Sequence, residues 1–175
     1  VELSQSEIER QQLIESVKEQ EKDKKLSEED KEKNKIKAMA ENFTITYYSY
    51  KPNDFSNIKS LQDKMTYELW EQQLKIIEQN QKGIKDDSKK YITFNVRIKN
   101  SEIIYLNKNE AKINISYIHE KIYGGIIQGE IAIKYVDEFG EDRIPSPTEK
   151  TEKKASVTLI KENEIWRLNE IYNYN

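Results

Sequence analysis

The C-terminal stretch of residues 155–174 alternates apolar and polar residues on both sides of a short polar segment at residues 161–164. A period of two places successive side chains on opposite faces of a strand, and a polar interruption between two such runs indicates a hairpin. One face of the first strand is predicted to carry Ala155, Val157 and Leu159. One face of the second strand is predicted to carry Trp166, Leu168, Tyr172 and Tyr174. The apolar face of this hairpin has to be covered by elements that precede it.

Strand patterns also occur upstream of the hairpin. The predicted strands span residues 91–99 with a continuation at 102–106, residues 112–122, and residues 127–135. A bend is expected at residues 100–101, and Gly124 and Gly125 mark a turn or bulge. Clean alternation, with one buried and one solvent-facing side, is typical of antiparallel sheets. We therefore predict a curved antiparallel sheet of four or more strands.

The residues before the strands are predicted to be helical. The first helix covers residues 1–50, with a break and restart at residues 26–30, and Pro52 ends it because a helix seldom continues through the residue before a proline. A second helix is predicted from residue 56 to Gly83. Its apolar stripe consists of Ile58, Leu61, Met65, Leu69 and Ile76, and Trp70 broadens that stripe as a core residue. Helices followed by consecutive antiparallel strands predict an α+β fold in which the N-terminal helices pack on the sheet.

The charge distribution predicts two parts of the chain. Charged residues make up 35% of the sequence, and residues 1–37 consist almost entirely of Glu, Lys, Gln, Ser and Asp. We therefore predict a charged helical linker or stalk at residues 1–35 and a helix-plus-sheet domain at residues 36–175. The apolar positions of the first part are too irregular for a sustained heptad repeat, which favours a solvated helix over a coiled coil.

The residue inventory excludes several kinds of chemistry. The chain has no cysteine and one histidine, so thiolate catalysis, disulfides and two-histidine metal sites are excluded. A net charge of −3 with both signs interspersed does not predict direct binding to nucleic acid. His119 is expected near the end of a strand with no functional role, and the acidic segment 137–142 lacks the ligand spacing of a calcium loop. We predict no catalytic, cofactor-binding or metal-binding residue.

Tyrosine is the unusually frequent residue, with eleven in the chain. Aromatic amphipathic side chains are enriched at protein interfaces, although a half-exposed sheet uses them as well. The candidate interface residues are Tyr117, Tyr135, Tyr172 and Tyr174.

The order of these elements resembles a known family. The segment from Ala40 to Pro52, the helix and antiparallel strands after it, and the closing strand with Ile165-Trp-Arg-Leu-Asn-Glu-Ile171 are similar to the extracytoplasmic domain of the eighth VirB component of type IV secretion systems and its Gram-positive conjugation relatives. The resemblance covers residues 36–175. It implies the fold of nuclear transport factor two, in which a curved sheet is cupped by helices. No functional residue of the family can be matched to this sequence.

The resemblance also implies a function and a location. Members of this family are not enzymes; they nucleate channel assembly through contacts with other secretion-channel subunits, as dimers or trimers. A membrane-spanning helix would precede Val1, residues 1–35 would link it to the domain, and the domain would lie outside the cell membrane.

The same fold hosts other functions, so two alternatives stay open. One is a surface or lipoprotein module that binds a small apolar ligand in the concave side of the sheet, in a pocket lined by Trp70, Trp166 and several tyrosines. The other is an enzyme that uses a buried carboxylate and a tyrosine for acid–base chemistry.

Overall fold

The computed structural model describes residues 4–81, 92–123 and 148–175. Its helices are α1 (Gln5–Tyr48), α2 (Ser56–Ser60), a short 3-10 helix (Gln62–Lys64) and α3 (Tyr67–Gln81). Its strands are β1 (Ile92–Leu106), β2 (Glu110–Tyr123), β3 (Thr148–Glu162) and β4 (Ile165–Tyr174). The four strands form one sheet in the order β1-β2-β3-β4, each antiparallel to its neighbour. The helices pack on this sheet, so the predicted α+β class is confirmed. The strand predicted at residues 127–135 lies outside the described residues.

The chain divides into two units, Val1–Ala38 and Met39–Asn175. Most described side chains of the first unit are exposed, including the apolar residues Leu13, Ile14 and Val17, which are 66%, 48% and 45% exposed. The break predicted at residues 26–30 is wrong, because α1 runs through it without interruption. Ser and Asp disfavour a helix interior only mildly, and no proline or glycine stands there to stop the helix.

The second predicted helix is wrong as a single element, because the chain leaves the helical conformation at Met65. There the backbone is extended and pairs with Leu168 in an isolated parallel bridge. Thr66 then starts α3, since its Oγ1 accepts a hydrogen bond from the Leu69 backbone N–H at 3.3 Å. Of the predicted stripe, Leu61, Met65 and Leu69 are buried, whereas Ile76 is 45% exposed. Trp70 is half-buried, and the helix end predicted at Gly83 lies outside the described residues.

One side of the sheet, here called the helix face, forms the core with the helices. It carries the fully buried residues Ile113, Ile115, Tyr117, Ala155, Val157, Leu159 and Leu168. The last turns of α1 contribute Ala40, Phe43 and Thr44, which are 0–4% exposed. Just after α1, Tyr50 and Phe94 exchange two backbone hydrogen bonds of 3.0 and 2.8 Å, which fasten the segment following the helix to β1.

The hairpin of β3 and β4 has the predicted turn, with positive φ angles of 50° at Asn163 and 65° at Glu164. A β-bulge at Asn169 changes the second strand: Leu159 pairs with Leu168, and the preceding residue, Thr158, already pairs with Glu170. One extra residue moves every later side chain to the other face. Ile171 is therefore buried and Tyr172 is 41% exposed. The prediction that Tyr172 and Tyr174 share a face with Trp166 and Leu168 is wrong for this reason.

Candidate binding surfaces

The tyrosines selected from the sequence do not all share one face among the described residues. Tyr117 lies on the helix face with 0% exposure, and its hydroxyl donates a hydrogen bond of 2.7 Å to Asn173 Oδ1. Tyr172 and Tyr174 lie together on the opposite side of the sheet, paired with Ser156 and Lys154. Tyr135 lies outside the described residues. A charge introduced at Tyr117 would therefore test the core and not a surface.

The side of the sheet opposite the helices, here called the open face, follows from the strand register. Its successive cross-strand rows contain Asn100, Ser116, Lys154 and Tyr174, then Glu102, Asn114, Ser156 and Tyr172, then Tyr105, Lys112, Thr158 and Glu170. Tyr105 and Tyr172 are the exposed aromatic residues of these rows, at 39% and 41%. The open face is thus a polar surface with tyrosines on its two outer strands.

Charges of both signs alternate across the open face. Arg97 Nη2 lies 3.1 Å from Glu120 Oε1, and Lys99 pairs with Glu152. The hydrogen bond from Lys99, together with its charge, lowers the pKa of the Glu152 carboxyl below its usual value. Because the two signs are interleaved, this face has no large patch of one sign that would select a strongly charged partner.

Two polar atoms at the centre of the open face are buried without a hydrogen bond. Asn114 Oδ1 and Ser156 Oγ belong to residues that face each other across β2 and β3, and neither atom has a partner among the described residues. Ser156 is 1% exposed. A buried polar atom without a partner costs free energy, so these two atoms do not stabilise this fold.

The histidine lies in an aromatic cluster at the end of α1. The His119 ring stacks on Phe94 with ring centroids 4.9 Å apart, and Tyr48 stacks on Tyr117 at 5.4 Å. His119 Nε2 lies 3.1 Å from the backbone oxygen of Tyr48. Burial lowers the pKa of His119, and the hydrogen bond to Tyr48 opposes this only in part. A neutral imidazole that donates to a carbonyl oxygen holds α1 on β2, which is a structural role.

Burial also keeps the tyrosines of this cluster protonated. It raises the pKa of Tyr117 to about 12 and moves the pKa of Tyr48 further above its ordinary value. Neutral phenols donate hydrogen bonds and do not act as bases at neutral pH.

A groove of about 540 Å³ opens between the end of α1, the segment after it and α3. We call it the amide groove. Its aromatic lining consists of Tyr47, Tyr48, Tyr50 and Phe55. Its carboxamide lining consists of Asn53, Asn57, Gln73, Gln79 and Asn80. The sequence does show the three clustered tyrosines, but not the amides that come to face them from a different helix.

A second hollow, of about 560 Å³, lies at the end of β4 and is lined by Lys99, Lys153 and Lys154 together with Asn173 and Tyr174. Neither this hollow nor the amide groove is lined by Trp70 or Trp166. Trp166 is 5% exposed, and the helix face beside it is filled by side chains. This packing does not favour an apolar ligand held between the two tryptophans.

Residues 4–81, 92–123 and 148–175 contain neither a cluster of metal-ligating side chains nor an apolar helix of membrane-spanning length. No group of three or more His, Asp or Glu side chains there is placed to hold a metal ion. No helix in the same part of the chain combines the length and apolar character that crossing a bilayer requires.

Comparison with known proteins gives likeness to solved structures alone. No family model and no curated protein matches the chain. Among solved structures, it is similar to the intermembrane space region of the chloroplast protein ARC6, with 8% sequence identity and a TM-score of 0.40. The alignment covers 78% of this chain and 95% of that one. A likeness of this degree carries no information on what the chain binds.

Proposed function

We propose that this chain is a non-catalytic assembly subunit of a bacterial conjugative type IV secretion channel and that it acts through protein–protein contacts. The observation that carries the proposal is the open face, where Tyr105, Tyr172 and Tyr174 lie on the two outer strands of a polar, four-stranded surface. Tyrosines supply large contact areas at low entropic cost, and they are enriched in interfaces. The type of assembly, a secretion channel, is proposed because the order of helices and strands resembles that of the eighth VirB component.

The first partner we propose for the open face is a second copy of the chain. In a two-fold interface the same surface meets itself, so positive and negative groups have to be present on both sides. The open face meets this condition, because Lys112 and Lys154 alternate with Glu102 and Glu170 in the cross-strand rows. Other channel subunits would then contact the remaining surfaces of the dimer or trimer.

The proposal includes a location. A helix preceding this chain would anchor it in the cell membrane, and the helix-plus-sheet unit would lie on the extracytoplasmic side. The exposed, highly charged part of α1 supports a linker in this place, because a largely polar helix can bridge two parts of a protein through solvent, with charge pairs along its own surface for support.

Plasmid transfer from a donor that lacks the gene tests this function. Transfer should be lost, and full-length protein supplied in trans should restore it. A full-length Tyr172→Glu variant that folds and reaches the same cellular level should restore transfer poorly, because a charge replaces an interface ring. Transfer at the parental frequency in the deletion donor would refute the channel function.

A further inference from the structure

The amide groove is separate from the open face, so the proposed assembly assigns no role to it. It is formed wholly within residues 47–80, by the end of α1, the segment that follows, α2 and α3. Its volume of about 540 Å³ lies in the range of small-ligand sites, roughly 300–1,000 Å³. A groove of this size with an aromatic wall and several carboxamides has the general composition of a recognition site.

The charge of the groove limits the class of ligand. Lys51 and Asp54 are the charged residues of its lining, so the two signs cancel. The Asp54 carboxylate already accepts a hydrogen bond of 2.9 Å from the Ser56 backbone N–H. For an anionic ligand such as a phosphate, attraction to Lys51 would be offset by repulsion from Asp54. A neutral ligand fits this lining better.

Several hydrogen-bonding groups of the groove are left without a partner by the described residues. The hydroxyls of Tyr48 and Tyr50 have none there, and burial raises the pKa of both, so they remain donors. Gln73 Oε1 accepts from the Tyr47 hydroxyl at 3.2 Å, which leaves the Gln73 amide N–H groups for a ligand. Asn57 Nδ2 donates to the Tyr47 backbone oxygen at 2.8 Å, which leaves Asn57 Oδ1 as an acceptor.

We propose that the amide groove binds a neutral saccharide. Sugar hydroxyls both donate and accept hydrogen bonds, as carboxamides do, so a sugar offers partners to the free donors at Tyr48, Tyr50 and Gln73 and to the free acceptor at Asn57. The aromatic wall covers the apolar C–H face of a sugar ring. An oligoproline peptide has no backbone N–H within the proline run and would bury the amide oxygens unpaired, at a cost in affinity.

Titration of the full chain with chitotetraose and with cellotetraose tests the proposal, by calorimetry and by saturation-transfer NMR. At least one of these neutral sugars should bind. Tyr48→Phe and Tyr50→Phe each keep the ring and remove a hydroxyl that has no partner among the described residues. Each change should therefore weaken binding about fivefold, the usual worth of one hydrogen bond, and leave the melting temperature unchanged. Tyr67→Phe, at a tyrosine that is 74% exposed and outside the groove, should leave affinity unchanged.

Three results would overturn the saccharide proposal. Neither sugar binds at millimolar concentration, or a sugar binds with the same affinity to the Tyr48→Phe/Tyr50→Phe double variant, or the groove residues respond to an oligoproline peptide and to neither sugar. These results are independent of plasmid transfer. A chain that binds sugar without supporting transfer would refute the channel function alone.

Discussion

At the scale of single residues, His119 gives the fold a dependence on pH. Its pKa in the folded chain is lowered, first by burial and then by the nearby Lys153, while the unfolded chain has the ordinary value of about 6.5. The unfolded state therefore binds the proton more tightly. The contribution of His119 to stability is fully present above pH 6.5 and is lost as the pH falls from about 6.5 towards the folded pKa.

His119→Phe isolates this contribution, because it keeps a ring against Phe94 and removes the titrating group. At pH 8 the variant should be less stable by roughly 1 kcal/mol, since the Tyr48 backbone oxygen loses its donor. This difference in the free energy of unfolding should shrink between pH 7.5 and pH 5.5. Urea denaturation of both proteins across this interval measures it. A difference that stays constant or grows on acidification would contradict the assignment of a lowered pKa.

Ser156 and Ser101 allow the stability contribution of a serine hydroxyl to be compared with and without a hydrogen-bond partner. The Ser156 hydroxyl has no partner among the described residues, whereas the Ser101 hydroxyl donates to Glu41 at 2.7 Å. Ser156→Ala should leave the free energy of unfolding unchanged or raise it by up to about 1 kcal/mol. Ser101→Ala should lower it by roughly 1 kcal/mol. Equal losses in the two variants would show that Ser156 has a partner in solution.

At the scale of elements, sequence patterns correctly predicted the features that neighbouring residues determine, namely strands and a turn. The alternation within residues 92–98, 112–122 and 155–159 and the turn at Asn163 and Glu164 follow from neighbouring residues, and the structure has all of them. Residues 148–154 also belong to β3, although the sequence pattern predicted no strand there. The bulge at Asn169 does not follow from neighbouring residues. Its side chain accepts a hydrogen bond of 3.0 Å from Thr66, which is 103 positions away. No spacing rule within β4 can show that contact, and the face of Tyr172 was mispredicted because of it.

A second contact of Thr66 with β4 explains why the second predicted helix is split. The Thr66 backbone N–H donates to the Leu168 backbone oxygen at 2.8 Å, and the same residue caps α3. An apolar stripe at helical spacing runs through this point, so periodicity alone favours one continuous helix. The pairing with β4 overrides that preference locally, and Leu61, Met65 and Leu69 are buried nonetheless.

Thr66→Val tests the contact between α3 and the bulge. The change keeps the shape and removes the side-chain bonds to Leu69 and Asn169, so the free energy of unfolding should fall by roughly 1–2 kcal/mol. Thr44→Val is the control, because the buried Thr44 hydroxyl only bonds back to the Ala40 oxygen within α1, at 2.8 Å. That bond adds little to a helix, so the control should be nearly neutral. Hydrogen exchange should quicken at residues 168–171 in Thr66→Val alone, and unchanged protection there would refute the coupling.

At the scale of the whole molecule, the sequence predicted the class of fold and not the binding surfaces. Helices before strands are enough to predict an α+β arrangement, because few layer architectures can bury such elements. The composition of a sheet surface depends on strand register, and the bulge at Asn169 alone determines which tyrosines of β4 lie on the open face. Tyr117 is in the core and Tyr172 is on the open face, although both follow strand alternation. The amide groove depends on how α1 and α3 meet, which no local pattern contains.

If the open face joins two copies of the chain, the purified protein should sediment as an oligomer whose population rises with concentration. Tyr172→Glu should return it to a monomer, because a carboxylate would be buried at the interface, with Glu170 in the adjacent row of the same strand, and buried charges without a partner cost several kcal/mol. Tyr67→Glu is the matched control, since Tyr67 is 74% exposed on α3 and lies away from the open face. Sedimentation velocity, with circular dichroism to show that both variants are folded, gives the answer. A wild-type monomer at every concentration, or a folded Tyr172→Glu variant that still associates, would remove the open face as the site of self-association.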